Sequence, residues 1–251
     1  MVRKEAAIPS PIVMIPARLG STRLPGKPLA DIAGLPMIVH VLKRAEAAAL
    51  GPVVVACAEA AIAEAVMAAG GRAVLTEPNL PSGSDRIHAA LRAIDPGGRH
   101  DVVVNLQGDL PGIKPESLRD LLAVLNDPRF DIATLVAPIT SDAEAEAPSV
   151  VKVACGFENG CGIAPALYFS RCKMPSGDGN LWHHVGVYAY RRAALDRFVG
   201  APPSPLERRE KLEQLRALEA GMRIGAARIA RAPFGVDTRE DLDRARKEFA
   251  P

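Results

Sequence analysis

The stretch Ile12–Leu29, IVMIPARLGSTRLPGKPL, constrains the chain more than any other. It opens on an apolar run, Ile12-Val13-Met14-Ile15, that reads as a buried strand. At Pro16 the character changes to a loop carrying Gly20, Gly26, Arg18, Arg23, Lys27 and the hydroxyls Ser21 and Thr22. A buried strand emptying into a glycine-containing cationic loop suits a polyphosphate. Glycine admits close backbone approach, free N–H groups point inward, and Arg and Lys neutralise charge. The loop is not a Walker A. Gly20 and Gly26 are separated by one residue too many, and Pro28 follows Lys27 where a Ser or Thr would hold magnesium. No dinucleotide fingerprint is present. Taken alone, the loop is equally readable as a polar surface connection that happens to be basic.

Downstream, the segment from Gly34-Leu35-Pro36 to about Leu50 reads as a helix, with Ile38, Val41, Leu42 and Ala45 on one stripe. Gly51-Pro52 stops it, PVVVACA reads as a second strand, Ala60–Ala69 as a helix ended by Gly70-Gly71, and Arg72–Leu75 as a third strand. This alternation predicts parallel strands with helices on both faces and a ligand beyond the strands' carboxyl ends, where the basic loop lies. In TEPNLPSGSDRI, Ser82 or Ser84 caps the helix carrying Ile87, Leu91 and Ile94. Val102–Leu106 is a further buried strand whose exit is Gln107-Gly108-Asp109. A carboxylate there is placed to hold a hard cation over phosphate oxygens, or else simply to open a turn.

After the strand Asp131–Val136 the pattern changes. VVKVAC and IAPALYFSR, joined by the glycine-rich 156–162, read as a hairpin, placed in a smaller lobe over 150–205 within one domain spanning 1–251. Arg171 closes the second strand, either to grip a carboxylate through two hydrogen bonds or to stand in water. In HHVGVYAYRR the alternation puts His184, Gly186, Tyr188 and Tyr190 on one face and Val185, Val187 and Ala189 on the other. Leu206–Ala220 reads as one longer amphipathic helix, and Met222–Ile229 as the last strand. Asp237-Thr238 then stands as an N-cap pair before a C-terminal helix.

Composition narrows the function classes. A net charge of +2, with both signs interspersed, and 4% aromatic residues argue against a nucleic-acid binder. No apolar run is long enough to span a membrane, and residues 1–10 read as a loose tail without a secretory apolar core. Cys57, Cys155, Cys161 and Cys172 lack any CxxC spacing and are expected reduced, in a cytoplasmic protein, with a Cys155–Cys161 bridge as the lesser alternative. Neither His40 nor the pair His183-His184 has the spacing of a metal site.

Nine segments, IPARLGSTRLPGKPL, PMIVHVL, PSGSDRI, VNLQGDLP, ALYFSR, HHVGVYAYRR, PSPLE with LEQLR, and GVDTREDL, together resemble the sugar-activating cytidylyltransferases, most closely those acting on 3-deoxy-manno-octulosonate (Kdo). They cover nearly the whole chain. The resemblance implies an α/β nucleotidyltransferase (Rossmann-like) three-layer fold with a mostly parallel central sheet, a hairpin lobe that makes the homodimer contact, CTP and Kdo as substrates, and Mg²⁺ as cofactor. It assigns the nucleotide to Pro16, Ala17, Arg18, Ser21, Lys27, Pro81, Ser82, Gly83, Arg86 and Gln107, with Arg18 and Lys27 on the triphosphate. It assigns the metal to Asp109 and Asp237, the latter near the attacking hydroxyl, and the sugar to Arg171, His184, Tyr188, Glu213 and Gln214. Ser84-Asp85 replaces the more usual Thr-Glu, and Leu110 replaces the glutamate of QGDEP. Activation of another sugar acid (8-amino-Kdo or a nonulosonic acid) and CTP binding without turnover, as in a regulatory protein, are the alternative functions.

Overall fold

The computed structural model describes residues 10–20, 23–158 and 160–250. Strand β1 (Pro11–Ala17) is buried on both faces and feeds two cores at once. Val13, Ile15 and Ala17 enter one, Ile12 and Met14 the other. That is why its apolar run is continuous rather than alternating. A small antiparallel hairpin, β2 (Asp31–Ile32) and β3 (Leu35–Pro36), follows the basic loop. The remaining strands are β4 (Val53–Cys57), β5 (Arg72–Leu75), β6 (Val102–Asn105), β7 (Ile132–Pro138), β8 (Lys152–Cys155), β9 (Ile163–Ser170), β10 (Trp182–Arg191) and β11 (Ile224–Arg228). In space the order is β5-β4-β1-β6-β10-β7-β11-β9-β8.

The sheet is mixed, not mostly parallel. Strands β5, β4, β1 and β6 run parallel, joined by helical crossovers as the alternation predicts. β10, however, enters antiparallel to both β6 and β7, and β9 is antiparallel to β11. The chain reaches β10 from a hairpin rather than through a crossover helix, so its direction reverses. The first residues of β10 also pair with β8, Trp182 opposite Val153 and His183 opposite Lys152. Strands β10, β7, β11, β9 and β8 therefore curl back on themselves, helped by a register shift between Val185 and Tyr188. β8 and β9 do form the predicted hairpin, and they are hydrogen-bonded into the same sheet as the rest.

Several helix boundaries are corrected. Pro36 belongs to β3 and precedes the helix Met37–Ala47. Ser82, rather than Ser84, caps Gly83–Ile94 by accepting from Asp85 N at 3.2 Å. The expected single helix over 206–220 is two, Pro205–Glu210 and Gln214–Glu219, separated by Lys211 in the left-handed region (φ 57°, ψ 46°). Arg216 bonds both carboxylate oxygens of Glu207 across the break and stitches it shut. Ser10 is tied down through Asp101 Oδ1 at 2.7 Å, and residues 1–9 of the expected tail lie outside the described residues.

A third apolar cluster joins Leu24, Ile32 and Met37 to Val236, Leu242 and Ala245. It fastens the C-terminal helix Arg239–Glu248 onto the basic loop, aided by Arg246 Nε donating to Asp31 O at 3.0 Å. The four cysteines are all free. No helix among the described residues is long and apolar enough to cross a membrane.

Candidate active site

The carboxyl ends of β1 and β6 and the start of helix Gly83–Ile94 surround a cleft of about 370 Å³. Pro16, Ala17, Arg18, Lys27, Ser82, Gly83, Arg86, Gln107, Asp109 and Asp237 all line it. Leu80 takes the place expected for Pro81, and Ser21 lies outside the described residues. Two glycines make the arrangement possible. A Cβ on Gly108 would lie 2.9 Å from Pro16 O, so only glycine lets the β6 exit rest against the end of β1. Gly26, at φ 70°, opens the short turn Lys27–Leu29 that aims Lys27 inward.

Lys27 Nζ donates to Asp109 Oδ2 at 2.8 Å and to Asp237 Oδ1 at 3.0 Å. Two acids far apart in sequence thus meet at one ammonium. Asp237 is delivered there by its neighbours. Val236 is buried in the third apolar cluster and its N–H donates to Asp109 O at 2.9 Å. Thr238 and Asp241 form a capping box, worth about 1 kcal/mol, that turns the chain into its last helix. Thr238 is the cap, which leaves the Asp237 side chain to the cleft. Burial draws the Lys27 pKa down, but Asp109 and Asp237 together raise it above its ordinary value, so the lysine is charged.

Arg23 was named only as part of the cationic loop, and the resemblance gives it no role. It lines the same cleft, and its Nη2 lies 3.2 Å from Asp237 Oδ1. The available signal was its place in the same cationic loop as Lys27. Among the described residues no group of three or more His, Cys, Asp or Glu could hold a metal. Two hard carboxylates with a cation already between them do fit Mg²⁺, which takes one or two carboxylates and fills its shell from water and phosphate.

On the base side, Gln107 Nε2 donates to Asn105 Oδ1 at 3.1 Å, leaving the Gln107 carbonyl oxygen beside Gly83 as an acceptor. Arg86 is buried, and its guanidinium reaches Thr76 Oγ1 (2.6 Å), Glu77 O (3.1 Å) and Pro78 O (3.0 Å). Its donors hold the loop above the cleft in place.

None of the five sugar-side residues lines this cleft. His184 and Tyr188 share a face of β10, as the alternation predicts, with ring centroids 5.5 Å apart. Thr134 Oγ1 lies 3.1 Å from His184 Nε2, 3.0 Å from Val187 O and 3.3 Å from Val185 O. Burial, then His183, pulls the His184 pKa down to about 3, so the ring is neutral. Burial also lifts the Tyr188 phenol well above its usual range. Glu213 is exposed at the surface, and desolvation raises its carboxyl above the usual range. Gln214 is buried, and its Nε2 has no hydrogen-bond partner among the described residues. Arg171, read either as a grip on a carboxylate or as standing in water, is engaged with backbone carbonyls instead. It donates to Glu210 O (3.0 Å), Pro148 O (3.1 Å) and Lys211 O (3.4 Å), clamping the helix break that precedes Glu213 and Gln214.

The profile of the family described as Cytidylyltransferase matches residues 12–224. A 3-deoxy-manno-octulosonate cytidylyltransferase of Rhodopseudomonas palustris (strain BisB18) is 60% identical over 239 residues, covering 95% of this chain and 97% of the relative. One of Methylobacterium radiotolerans is 61% identical over 236 residues, covering 94% and 95%. The solved structure of a CMP:2-keto-3-deoxy-manno-octonic acid synthetase complexed with CTP is 40% identical, with a TM-score of 0.87 over 95% of this chain and 98% of that one. A 4-diphosphocytidyl-2C-methyl-D-erythritol synthase of Anaerococcus prevotii, 10% identical with a TM-score of 0.65 over 96% and 98%, shares the fold alone.

Proposed function

The chain belongs to the cytidylyltransferase family, and from that premise we propose that it transfers the CMP moiety of CTP to the anomeric hydroxyl of Kdo, releasing CMP-Kdo and pyrophosphate. The observation that carries the reading is the meeting of Lys27, Asp109 and Asp237 in a cleft walled by the nucleotide-side segments.

Attack on an α-phosphate asks a protein chiefly for position and charge neutralisation. Arg18 and Lys27 offset the triphosphate and the departing pyrophosphate. The Gln107 carbonyl oxygen accepts from the exocyclic amino group of cytosine, while Ser82 and Gly83 wall the ring. Asp109 and Asp237 would hold Mg²⁺, which when bound neutralises phosphate charge and acidifies the hydroxyl. Asp237, half-exposed, takes the proton as the sugar oxygen bonds to the α-phosphorus and pyrophosphate leaves. His184, Tyr188, Glu213 and Gln214 face the hydroxyls of the sugar acid. The product serves lipopolysaccharide biosynthesis, in the cytoplasm where CTP is available.

Homodimerisation is part of the same proposal. A second, mostly apolar cavity of about 390 Å³ is lined by Phe130, Pro165, Leu167, Leu218, Met222 and Ile224, and Leu167 is 69% exposed. Such a patch on a hairpin face suits a second copy of the chain. Leu167→Asp should shift the protein to monomers in sedimentation velocity; an unchanged sedimentation coefficient would remove this face from consideration.

Pyrophosphate release from CTP with Kdo, 8-amino-Kdo and a nonulosonic acid, each with and without Mg²⁺, tests the function. Kdo with Mg²⁺ should give the highest kcat/KM. Faster turnover of another acid would reassign the substrate, and CTP binding with no release would favour a regulatory protein.

A further inference from the structure

We propose that Lys27 and Arg23 form an internal cation latch on the two metal-binding acids, so that the protein takes up its divalent ion only after a nucleotide triphosphate has drawn the latch away. This rests on the reading of Asp109 and Asp237 as the metal ligands. Lys27 Nζ stands 2.8 Å and 3.0 Å from one oxygen of each acid, and Arg23 Nη2 stands 3.2 Å from the same oxygen of Asp237. Two positive side chains thus cancel two negative ones. Among the described residues Lys27 is the one cation in contact with Asp109. The Lys27 side chain is only 14% exposed, so its ammonium occupies the space between the carboxylates rather than swinging in water.

A divalent ion approaching these oxygens must displace a charge-assisted hydrogen bond at each, against the repulsion of a resident cation. Mg²⁺ sheds its waters reluctantly, so two already neutralised carboxylates are a poor offer. A triphosphate changes the balance. Lys27, Arg23 and Arg18 all line the cleft it enters, and its oxygens give both latch residues a denser anionic partner. Moving Lys27 onto phosphate frees Asp109 and Asp237, which would then hold the divalent ion together with the arriving phosphates. The latch makes metal uptake conditional on nucleotide, and it leaves the idle site electrically quiet.

Titration of nucleotide-free protein with Mn²⁺, read by the electron paramagnetic resonance of the free ion, tests the latch. Removing the resident cation raises the competent fraction of sites, so Lys27→Gln should bind Mn²⁺ about tenfold or more tighter than wild type. Arg23→Gln lies at the surface, 65% exposed, and should gain about two- to threefold without risk to the fold. Adding Asp109→Asn to Lys27→Gln should abolish the gain. Equal Mn²⁺ affinity in wild type and Lys27→Gln, or a gain that survives Asp109→Asn, would overturn the latch. Calorimetry of the wild type with CTP, with and without Mg²⁺, separates the two readings. CTP binding in neither condition would sink the nucleotide site itself, whereas CTP binding with no Mn²⁺ gain in Lys27→Gln would sink the latch alone.

Discussion

The phosphate end of the cleft and the sugar face of β10 solve opposite problems. At the phosphate end the working groups carry full charge, stand partly exposed, and are satisfied by one another before any ligand arrives: Lys27 with Asp109, Lys27 and Arg23 with Asp237. At the sugar face His184 and Gln214 are neutral and buried, and Tyr188 is half-buried against the second core. His184 lies against Thr134, the Tyr188 ring is tilted beside it, and the Gln214 amide nitrogen is left without a partner among the described residues. A charged site can idle on its own counter-ions and exchange them for a substrate's. A buried neutral site cannot, and it carries its unmet hydrogen bond, at about 1–3 kcal/mol, until a ligand meets it. That cost suits discrimination: a site built to bond a hydroxyl rejects analogues lacking it far more strongly than an apolar pocket does.

The contrast can be broken or sharpened by substitution. At the charged end, Asp109→Asn should cut kcat about a hundredfold or more in a pyrophosphate-release assay, with the melting temperature nearly unchanged. Intact Mg²⁺-dependent turnover would remove Asp109 from its role. At the neutral end, Gln214→Leu should raise KM for Kdo about tenfold and leave KM for CTP alone. The same change should stabilise the protein by about 1 kcal/mol in urea unfolding, because it deletes an unmet buried donor. A loss of stability there would mean the amide is already satisfied.

Protons offer a third comparison. His184 is held neutral down to about pH 3 by burial, whereas the unfolded chain takes up its proton near pH 6.5. Between those values the unfolded state binds more protons, so stability is full above pH 6.5 and falls as the pH drops through the window. His184→Gln should lose that component, shrinking the wild-type stability difference between pH 7 and pH 5 by about 2 kcal/mol in chemical denaturation. The smallest expected effect is on catalysis: kcat should show no inflection from His184 between pH 6 and 8, and one that vanishes in His184→Gln would place a charged histidine in the site.

How much of this could be read beforehand followed the range of the interactions. β1, β4 and β6 announce themselves as runs buried on both sides, and their exits carry Lys27 and Asp109, so the charged end was legible from local pattern. The parity of His184 and Tyr188 was legible for the same reason. Strand direction is not local: nothing in VGVYAYRR says that β10 inserts antiparallel between β6 and β7. The break at Lys211 was hidden because Leu212, Leu215 and Leu218 keep a helical spacing immediately after it. Arg171 and Arg23 could be counted as charges, but their partners, backbone carbonyls in one case and Asp237 in the other, come from distant segments. The seating of Asp237 rested on the GVDT resemblance, and its cause, Val236 anchored to Asp109 and to the third cluster, exists only in the fold.

Anomalous scattering from crystals soaked with CTP and Mn²⁺ puts the account to its plainest trial. A peak within coordination distance of both Asp109 and Asp237, with the Lys27 ammonium moved onto phosphate, is the predicted result. Density for CTP in the cleft with Lys27 still bridging the two acids and the manganese bound elsewhere would contradict it.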